Sequence, residues 1–168
     1  MTQTDKTYKQ NPKLNLLFGF YGSKVPTKQD KFKPLEGVVY DEENDTVLDN
    51  IYVKKPVSDA VESFNKVMED IITNKYESFF FEKPKEIEVV LSISCNKRRF
   101  YEVDVDNLAK CVLDSLKGLL FEDDSQVTGL ICYKHVNDKG MNSILIGITE
   151  LSPKNKGFIG DISLFSEV

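Results

Sequence analysis

The 168-residue chain has the composition of a globular domain, with 40% hydrophobic residues, 29% charged residues and a net charge of -5. Its single histidine, His135, argues against a histidine-based nucleophilic triad and a multi-histidine metal site, and its three separated cysteines favour neither disulfides nor zinc. With no long apolar segment and no apolar leader, it is expected to form one cytosolic domain over residues 1–168 that has no membrane partner.

Positive and negative charges are segregated along the chain. Residues 1–33 carry seven lysines and two aspartates, so the remainder has a net charge of -10. Residues 34–53 carry six acidic residues and no basic residue, which predicts an acidic insertion that faces water as a loop or hairpin. Because acidic surface repels phosphate, a nucleic acid would have to bind elsewhere.

The first half of the chain predicts two strands, a hairpin and a helix. Residues 14–21 are apolar and aromatic and predict a first strand, and two short runs within residues 38–53 predict a hairpin. Apolar residues at spacings of three and four predict an amphipathic helix over residues 58–76, with Ser58 as its N-cap. The β-branched run at residues 86–95 predicts a central strand.

A second helix is predicted over residues 107–117. Its apolar residues share one side, and Gly118 follows at the position where helices commonly end. Asp106 is expected to be its N-cap, which places Lys110 one helical turn later.

Two further strands are predicted at residues 126–135 and 142–151, joined as a hairpin by a turn at residues 137–140. No regular pattern continues over the tail, residues 152–168. Together these elements predict an α+β fold with a mixed, mainly antiparallel sheet and two principal helices.

Carboxylates flank the second predicted helix. Asp104 and Asp106 lie one residue apart at its start, and Asp124 follows in the loop beyond its end. Mg²⁺ prefers oxygen ligands, so this pattern predicts a magnesium site made by the three side chains, suited to phosphodiester cleavage. Lys110 would offset the negative charge that grows on a reacting phosphate.

Each of these residues also has a structural explanation when taken alone. Asp106 can be an N-cap, Lys110 can form ion pairs along the helix, and Asp124 can begin a loop. Taken together they favour a cation site, because so much negative charge around one short helix is costly without a neutralising cation.

The segment 104–127 resembles the signature of the RusA family of Holliday junction resolvases. It begins with Asp-x-Asp-Asn-x-x-Lys, contains Asp-x-Leu and ends with Asp-Asp-x-Gln-Val. The resemblance implies a RusA-like fold and a Mg²⁺- or Mn²⁺-dependent endodeoxyribonuclease that resolves four-way DNA junctions by paired nicks in recombination and repair. It implies that Asp104, Asp106 and Asp124 bind the metal and that Lys110 is an essential lysine.

The resemblance also implies a homodimer with two active sites, because paired nicks in strands of like polarity require two-fold symmetry. Asn107 would help to arrange the junction in the site, and Asp114 would be structural. Members of the family are mostly encoded by phages and prophages. This chain departs from the typical member in its greater length and in its acidity, with only two arginines.

Two basic segments are candidates for contacts with the DNA backbone, one after the first strand and one before the acidic motif. The nominated residues are Lys24, Lys28, Lys31, Lys97, Arg98 and Arg99. The neighbouring Phe100 and Tyr101 have two explanations that the sequence leaves open: they stack on a base at an opened crossover, or they are strand residues that face the core.

Two other functions are compatible with part of the pattern. Phosphatases resembling haloacid dehalogenases also use Asp-x-Asp after a strand, but that motif has Thr or Val where Asn107 and Leu108 stand, and too little chain follows it here. The second is a non-catalytic DNA-binding or DNA-mimic protein of RusA type. The complete set of acids with Lys110 argues against it.

Overall fold

The computed structural model describes residues 7–27, 32–41, 43–44, 46–54, 59–137 and 139–162. Two short 3₁₀ turns, Asp124–Gln126 and Ile159–Asp161, accompany the helices and strands. In chain order the main elements are β1 (Leu16–Tyr21), β2 (Phe32–Asp41), β3 (Thr46–Lys54), α1 (Asp59–Tyr76), β4 (Ile87–Cys95), α2 (Lys97–Glu102), α3 (Val105–Leu116), β5 (Val127–Val136) and β6 (Ser143–Glu150).

The main sheet has four strands in the order β1-β6-β4-β5. β6 is antiparallel to both β1 and β4, whereas β5 is parallel to β4. This confirms the α+β fold with a mixed, mainly antiparallel sheet and the central position of β4. β2 and β3 pair antiparallel as a separate two-stranded sheet, which confirms the hairpin predicted within residues 38–53.

The predicted hairpin between the last two strands is wrong, because β4 lies between β5 and β6. After β5, the backbone N–H of Asn137 donates to the carbonyl of Cys95 at the end of β4, at 3.1 Å, and the chain crosses to β6. The turn residues at 137–140 indicate that the chain bends there, but they do not determine which strands pair. β4 pairs with β5 on one side and with β6 on the other. Its nearly continuous burial shows that both faces of the sheet are covered at this strand.

The core lies between one face of the sheet and the helices α1 and α3. The helix predicted over residues 58–76 is confirmed from Asp59, and Ser58 lies outside the described residues. Burial of each large apolar side chain contributes roughly 1.5–3 kcal/mol. The helical side of the core includes Val61, Phe64, Met68 and Ile72 from α1 and Leu108, Val112 and Leu116 from α3. No helix in the described ranges is long and apolar enough to cross a membrane.

The segment before α3 differs from the prediction. A short helix, α2, covers the basic triplet and both aromatic residues, because Asn96 caps it by accepting a hydrogen bond from the backbone N–H of Arg99 at 2.9 Å. The second predicted helix, α3, begins at Val105 with Asp104 as its N-cap, so the assignment of Asp106 as the cap is wrong. Gly118, with φ +79°, follows the C-cap of α3 as predicted.

The tail after β6 is tied to the sheet by a buried carboxylate. Glu88 on β4 is fully buried and accepts hydrogen bonds from the backbone N–H groups of Phe158 and Ile159, both at 2.7 Å. A buried carboxylate with two such donors avoids most of the cost of leaving water. The tail predicted to be irregular therefore has a fixed anchor, whereas residues 163–168 lie outside the described part.

Candidate active site

Two carboxylates stand at the N-terminal end of α3. Asp104 is the N-cap residue, but its side chain accepts no capping hydrogen bond, and Asp106 lies in the first turn. Both side chains are exposed, and neither forms an ion pair with a described residue. The oxygens of both carboxylates therefore remain available to an external cation.

Lys110 lies one turn further along α3 and is exposed. It forms no ion pair with Asp106 in the described part of the protein, although the spacing of four residues would permit one. The ammonium group can therefore meet an anion from outside. Asn107 is half-buried in the first turn between them.

Lys134 on β5 fixes the connection that leads into Asp104. Its ammonium donates to the carbonyl of Phe100 at 2.8 Å and to that of Val103, and lies 4.8 Å from the centre of the Phe100 ring. Carbonyls at the end of a helix lack partners within the helix, and a cation complements the negative end of its dipole. The sequence analysis did not identify Lys134 as part of the site. Cys132 and Lys134 are two residues apart on β5, so their side chains lie on the same side of the strand.

The acidic loop, residues 122–126, lies beyond the other end of α3. The ammonium of Lys117 is 2.6 Å from Asp123 Oδ2 and 3.8 Å from Asp124 Oδ1. The hydrogen bond from Lys117, assisted by one from the Ser125 backbone N–H at 3.0 Å, holds the pKa of Asp123 well below its usual range. The negative charge of this loop is thus partly neutralised by the chain itself.

Gln126 holds the acidic loop in place. Its Oε1 accepts hydrogen bonds from the backbone N–H groups of Glu122 and Asp123, at 2.9 and 3.1 Å. Its Nε2 donates to the carbonyls of Phe81 and Lys85, at 2.8 and 3.2 Å. All four hydrogen-bonding positions of this buried amide are used, which explains a glutamine at this place in the motif.

The length of α3 separates the two groups of acids within one chain. Its twelve residues, at about 1.5 Å each, span about 18 Å. Asp104 and Asp106 stand at one end, and Asp124 lies beside Lys117 at the other. Across the ranges that the structure describes, no three histidine, cysteine, aspartate or glutamate side chains are grouped to hold a metal ion. One chain thus brings Asp104 and Asp106 together but not Asp124.

The basic residues of α2 differ in their surroundings. Lys97 and Arg98 are exposed, and Arg98 forms an ion pair with Glu102 at 2.7 Å. Arg99 is half-buried and donates from Nη2 to the carbonyl of Val25 in the segment after β1, while its Nε is buried without a partner in the described residues. Arg99 therefore joins two predicted DNA-binding segments that are distant in sequence.

The structure describes only some of the other residues that the sequence predicts to contact DNA. Lys24 is exposed in the segment that Arg99 contacts, whereas Lys28 and Lys31 lie outside the described residues. Both aromatic residues lie on α2, so the prediction that they are strand residues is wrong. Phe100 is half-buried against the core, and Tyr101 is 77% exposed. Tyr101 is therefore the better placed of the two to meet a base.

A protein-family model described as Endodeoxyribonuclease RusA matches residues 22–149, which is most of the chain. The matched segment contains both ends of α3 and all four residues predicted to be catalytic. No curated protein matches the sequence.

Proposed function

The chain belongs to the RusA endodeoxyribonuclease family, and on this premise we propose that it resolves four-way DNA junctions by paired nicks with a divalent cation. The observation that carries the proposal is the end of α3, where Asp104 and Asp106 are exposed without a cationic partner among the described residues. Lys110 lies one turn away and is equally available. Such a constellation supplies ligands for a cation and a positive charge for a phosphate.

The residues at this end of α3 suit Mg²⁺ or Mn²⁺, because they present hard oxygen ligands that no lysine or arginine of the described residues occupies. A bound cation supplies activation of water and stabilisation of the leaving 3′ oxygen. Lys110 positions the phosphate and offsets its negative charge, and the amide of Asn107 helps to orient the DNA strand. Lys134 keeps the backbone before Asp104 in place through two carbonyls.

Asp124 enters the proposal through a second copy of the chain. Within one chain it lies beyond the far end of α3, about 18 Å of helix from Asp104. In a two-fold homodimer the acidic loop of one copy can approach Asp104 and Asp106 of the other. Each site would then contain Asp104, Asp106 and Lys110 from one copy and Asp124 from its partner, and the dimer would contain two such sites.

The basic residues near α2 are proposed to hold the DNA backbone. The contact of Arg99 with Val25 brings Lys24 and the exposed residues Lys97 and Arg98 to the same part of the surface. The remaining lysines of this proposal are Lys28 and Lys31. Phosphate contacts of this kind position the DNA without reading its sequence.

The first test is cleavage of a labelled synthetic four-way junction and of its matching linear duplex in Mg²⁺. We expect paired nicks in the junction alone, lost in Asp106→Asn and in Lys110→Ala while junction binding persists. Equal cutting of the linear duplex would remove the junction assignment. Junction binding without cleavage in the wild type, together with no calorimetric Mg²⁺ binding, would favour the non-catalytic alternative.

The shared site has its own test in mixed dimers. Asp106→Asn and Asp124→Asn are each expected to be inactive alone. Mixed after denaturation and refolding together, they should regain nicking, because one of the two sites in a mixed dimer then has all its wild-type residues. If each site used acids from a single chain, every site in the mixture would stay defective and no activity would return.

A further inference from the structure

A cavity of about 450 Å³ lies between the segment before β1 and the tail that follows β6. Among the described residues, those that line it include three lysines and no acid: Pro12, Lys13, Lys154, Asn155, Lys156 and Gly157. Lys154 and Lys156 are exposed, and neither forms an ion pair with a described residue. In a chain whose net charge is -5, this lysine pocket is a local concentration of positive charge.

The tail that carries the pocket lies against the face of the sheet opposite α1 and α3. Ile87 and Val89 belong to the core, so the side chain of Glu88 between them points to the other face. There its carboxylate accepts the hydrogen bonds from the backbone N–H groups of Phe158 and Ile159. These donors hold the negative charge of Glu88 on the sheet side of the tail. The pocket is thus built separately from the carboxylates at the start of α3.

Hydrogen bonds fix the loop from which the two exposed lysines project. The backbone groups of Ser152 and Asn155 bind each other, at 2.9 and 3.1 Å. The side chain of Asn155 donates to the carbonyl of Lys13 at 3.1 Å and accepts from the backbone N–H of Gly157 at 3.2 Å. Because the loop is ordered before a ligand arrives, binding costs little backbone conformational entropy.

Lys13 brings a third positive charge to the pocket from the segment before β1. Its ammonium donates to the carbonyl of Gly157 at 3.2 Å and lies 5.6 Å from the centre of the Phe158 ring. The two chain segments are therefore joined both by this ammonium and by the side chain of Asn155. Their three lysines stay together as one group.

The lysine pocket lies at the same end of the sheet as the acidic loop. A second cavity, of about 500 Å³, shares Lys156 with the pocket and extends to Lys85 and Glu150, whose side chains form an ion pair at 3.0 Å. The carbonyl of Lys85 accepts a hydrogen bond from Gln126, the residue that holds the acidic loop. A continuous surface therefore leads from the acidic loop to the pocket.

The chemistry of the pocket suits the phosphates of a polymer better than a single small anion. Water screens the attraction between an exposed lysine and an isolated anion, so such a pair contributes little. Each phosphate contact with duplex DNA also releases condensed counterions, and several such contacts together give substantial affinity. Three lysines without an acid among the described lining residues match that requirement.

We infer that the lysine pocket binds backbone phosphates of a DNA arm that runs past the acidic loop. The inference rests on the proposed function and adds a DNA contact to it. All the described lining residues lie outside the segment that the family model matches, residues 22–149. Phosphate contacts carry no sequence information, so the contact is expected with linear duplex as well as with a four-way junction.

The test compares two double substitutions that remove the same charge. Lys154→Gln with Lys156→Gln changes the pocket, and Lys66→Gln with Lys75→Gln changes two exposed lysines of α1, across the sheet from the tail. Fluorescence anisotropy measures binding of linear duplex and junction DNA at increasing NaCl, without divalent cations so that no strand is cut. In the pocket variant, the slope of log K against log salt should become shallower by about 1.8 for each copy in contact, at about 0.9 per lost phosphate contact. The α1 variant should keep the wild-type slope.

A pocket variant with the wild-type slope, or equal changes of slope in both variants, would overturn the inference. Calorimetry with inorganic phosphate separates a free anion from DNA. Phosphate binding that is lost in the pocket variant, with no change in the DNA slope, would also overturn the inference. Both variants should unfold in urea as the wild type does, because all four lysines are exposed.

The proposed function is tested separately by cleavage in Mg²⁺. Single-turnover nicking of the junction at saturating protein should persist in the pocket variant, because the residues proposed to be catalytic lie elsewhere. A wild type that shows the difference in salt slope but never cleaves would remove the proposed function and leave the DNA contact standing. A cleaving enzyme without that difference would remove the contact alone.

Discussion

The two ends of α3 hold acidic side chains in opposite electrostatic states. At the N-terminal end, Asp104 and Asp106 are exposed, and no described residue neutralises them. At the C-terminal end, Lys117 binds Asp123 and approaches Asp124. An incoming cation gains most where the charge is still uncompensated. The position of a cation site is therefore indicated less by the number of acidic residues in a motif than by which of them lack a neighbouring lysine or arginine.

The largest expected effect comes from removing charge at the uncompensated end. Asp106→Asn should reduce single-turnover cleavage of a four-way junction by roughly 100-fold or more, because a group that acts on the transition state is lost. Unfolding in urea should be almost unchanged, since the side chain is exposed. Asp123→Asn at the compensated end is the control and should lose much less activity. Equal losses from the two substitutions would remove the distinction between the ends.

The second prediction concerns the support of the compensated end. Gln126→Ala leaves two backbone N–H groups and two carbonyls without partners, so the free energy of unfolding should fall by about 2–4 kcal/mol. Urea unfolding measures this change, with the exposed Thr128→Ala as a control expected to stay within about 0.5 kcal/mol. A loss no larger than that of the control would show that the glutamine does not hold the loop.

Lys134 provides the corresponding test at the uncompensated end. Lys134→Met keeps an apolar stem of similar length but leaves the carbonyls of Phe100 and Val103 unpaired, so stability should fall by about 1–3 kcal/mol. Junction cleavage should fall as well, because Asp104 follows directly. Lys134→Arg, which retains donors, should recover much of both losses. Unchanged cleavage in the methionine variant would separate Lys134 from the site.

The smallest effect is the pH dependence of the compensated end. The pKa of Asp123 is lower in the folded protein than its usual value of about 4, so the ionised side chain favours folding. This contribution is present above about pH 4 and disappears as the pH falls through the lowered folded pKa. The difference in urea stability between wild type and Lys117→Met should therefore shrink from pH 7 to pH 3. A stability difference between wild type and Lys117→Met that grows as the pH falls would contradict the predicted direction of the pH dependence.

The sequence was sufficient for elements whose signals are local. The apolar periodicity predicts α1, the β-branched run predicts β4, and the glycine after α3 predicts the end of that helix. The strands that pair with β4 cannot be predicted in this way, because the turn at residues 137–140 carries no information about which strand lies beside β5. The helix α2 has only six residues and none of them is fully buried, so it has no apolar periodicity from which a helix could be predicted.

The candidate site was predictable in its residue types but not in its assembly. The acids and Lys110 follow from the motif, whereas Gln126 and Lys134 act through backbone groups far away in sequence. The separation of Asp104 from Asp124 was implicit in the helix predicted between them, since an α-helix lengthens by about 1.5 Å per residue. Arg99 was nominated for DNA, and only the structure shows its internal contact with Val25.

The anchor of the tail determines how short this protein can be. The family match ends at residue 149, yet Glu88 inside the match takes both of its donors from residues 158 and 159 outside it. Gly157 belongs to the same arrangement, because a Cβ there would stand 2.5 Å from Glu88 Oε1. A fragment cut at the family boundary would lose both hydrogen-bond donors of Glu88 and the residues that cover it, so we expect a stable fragment to need about ten residues beyond the match.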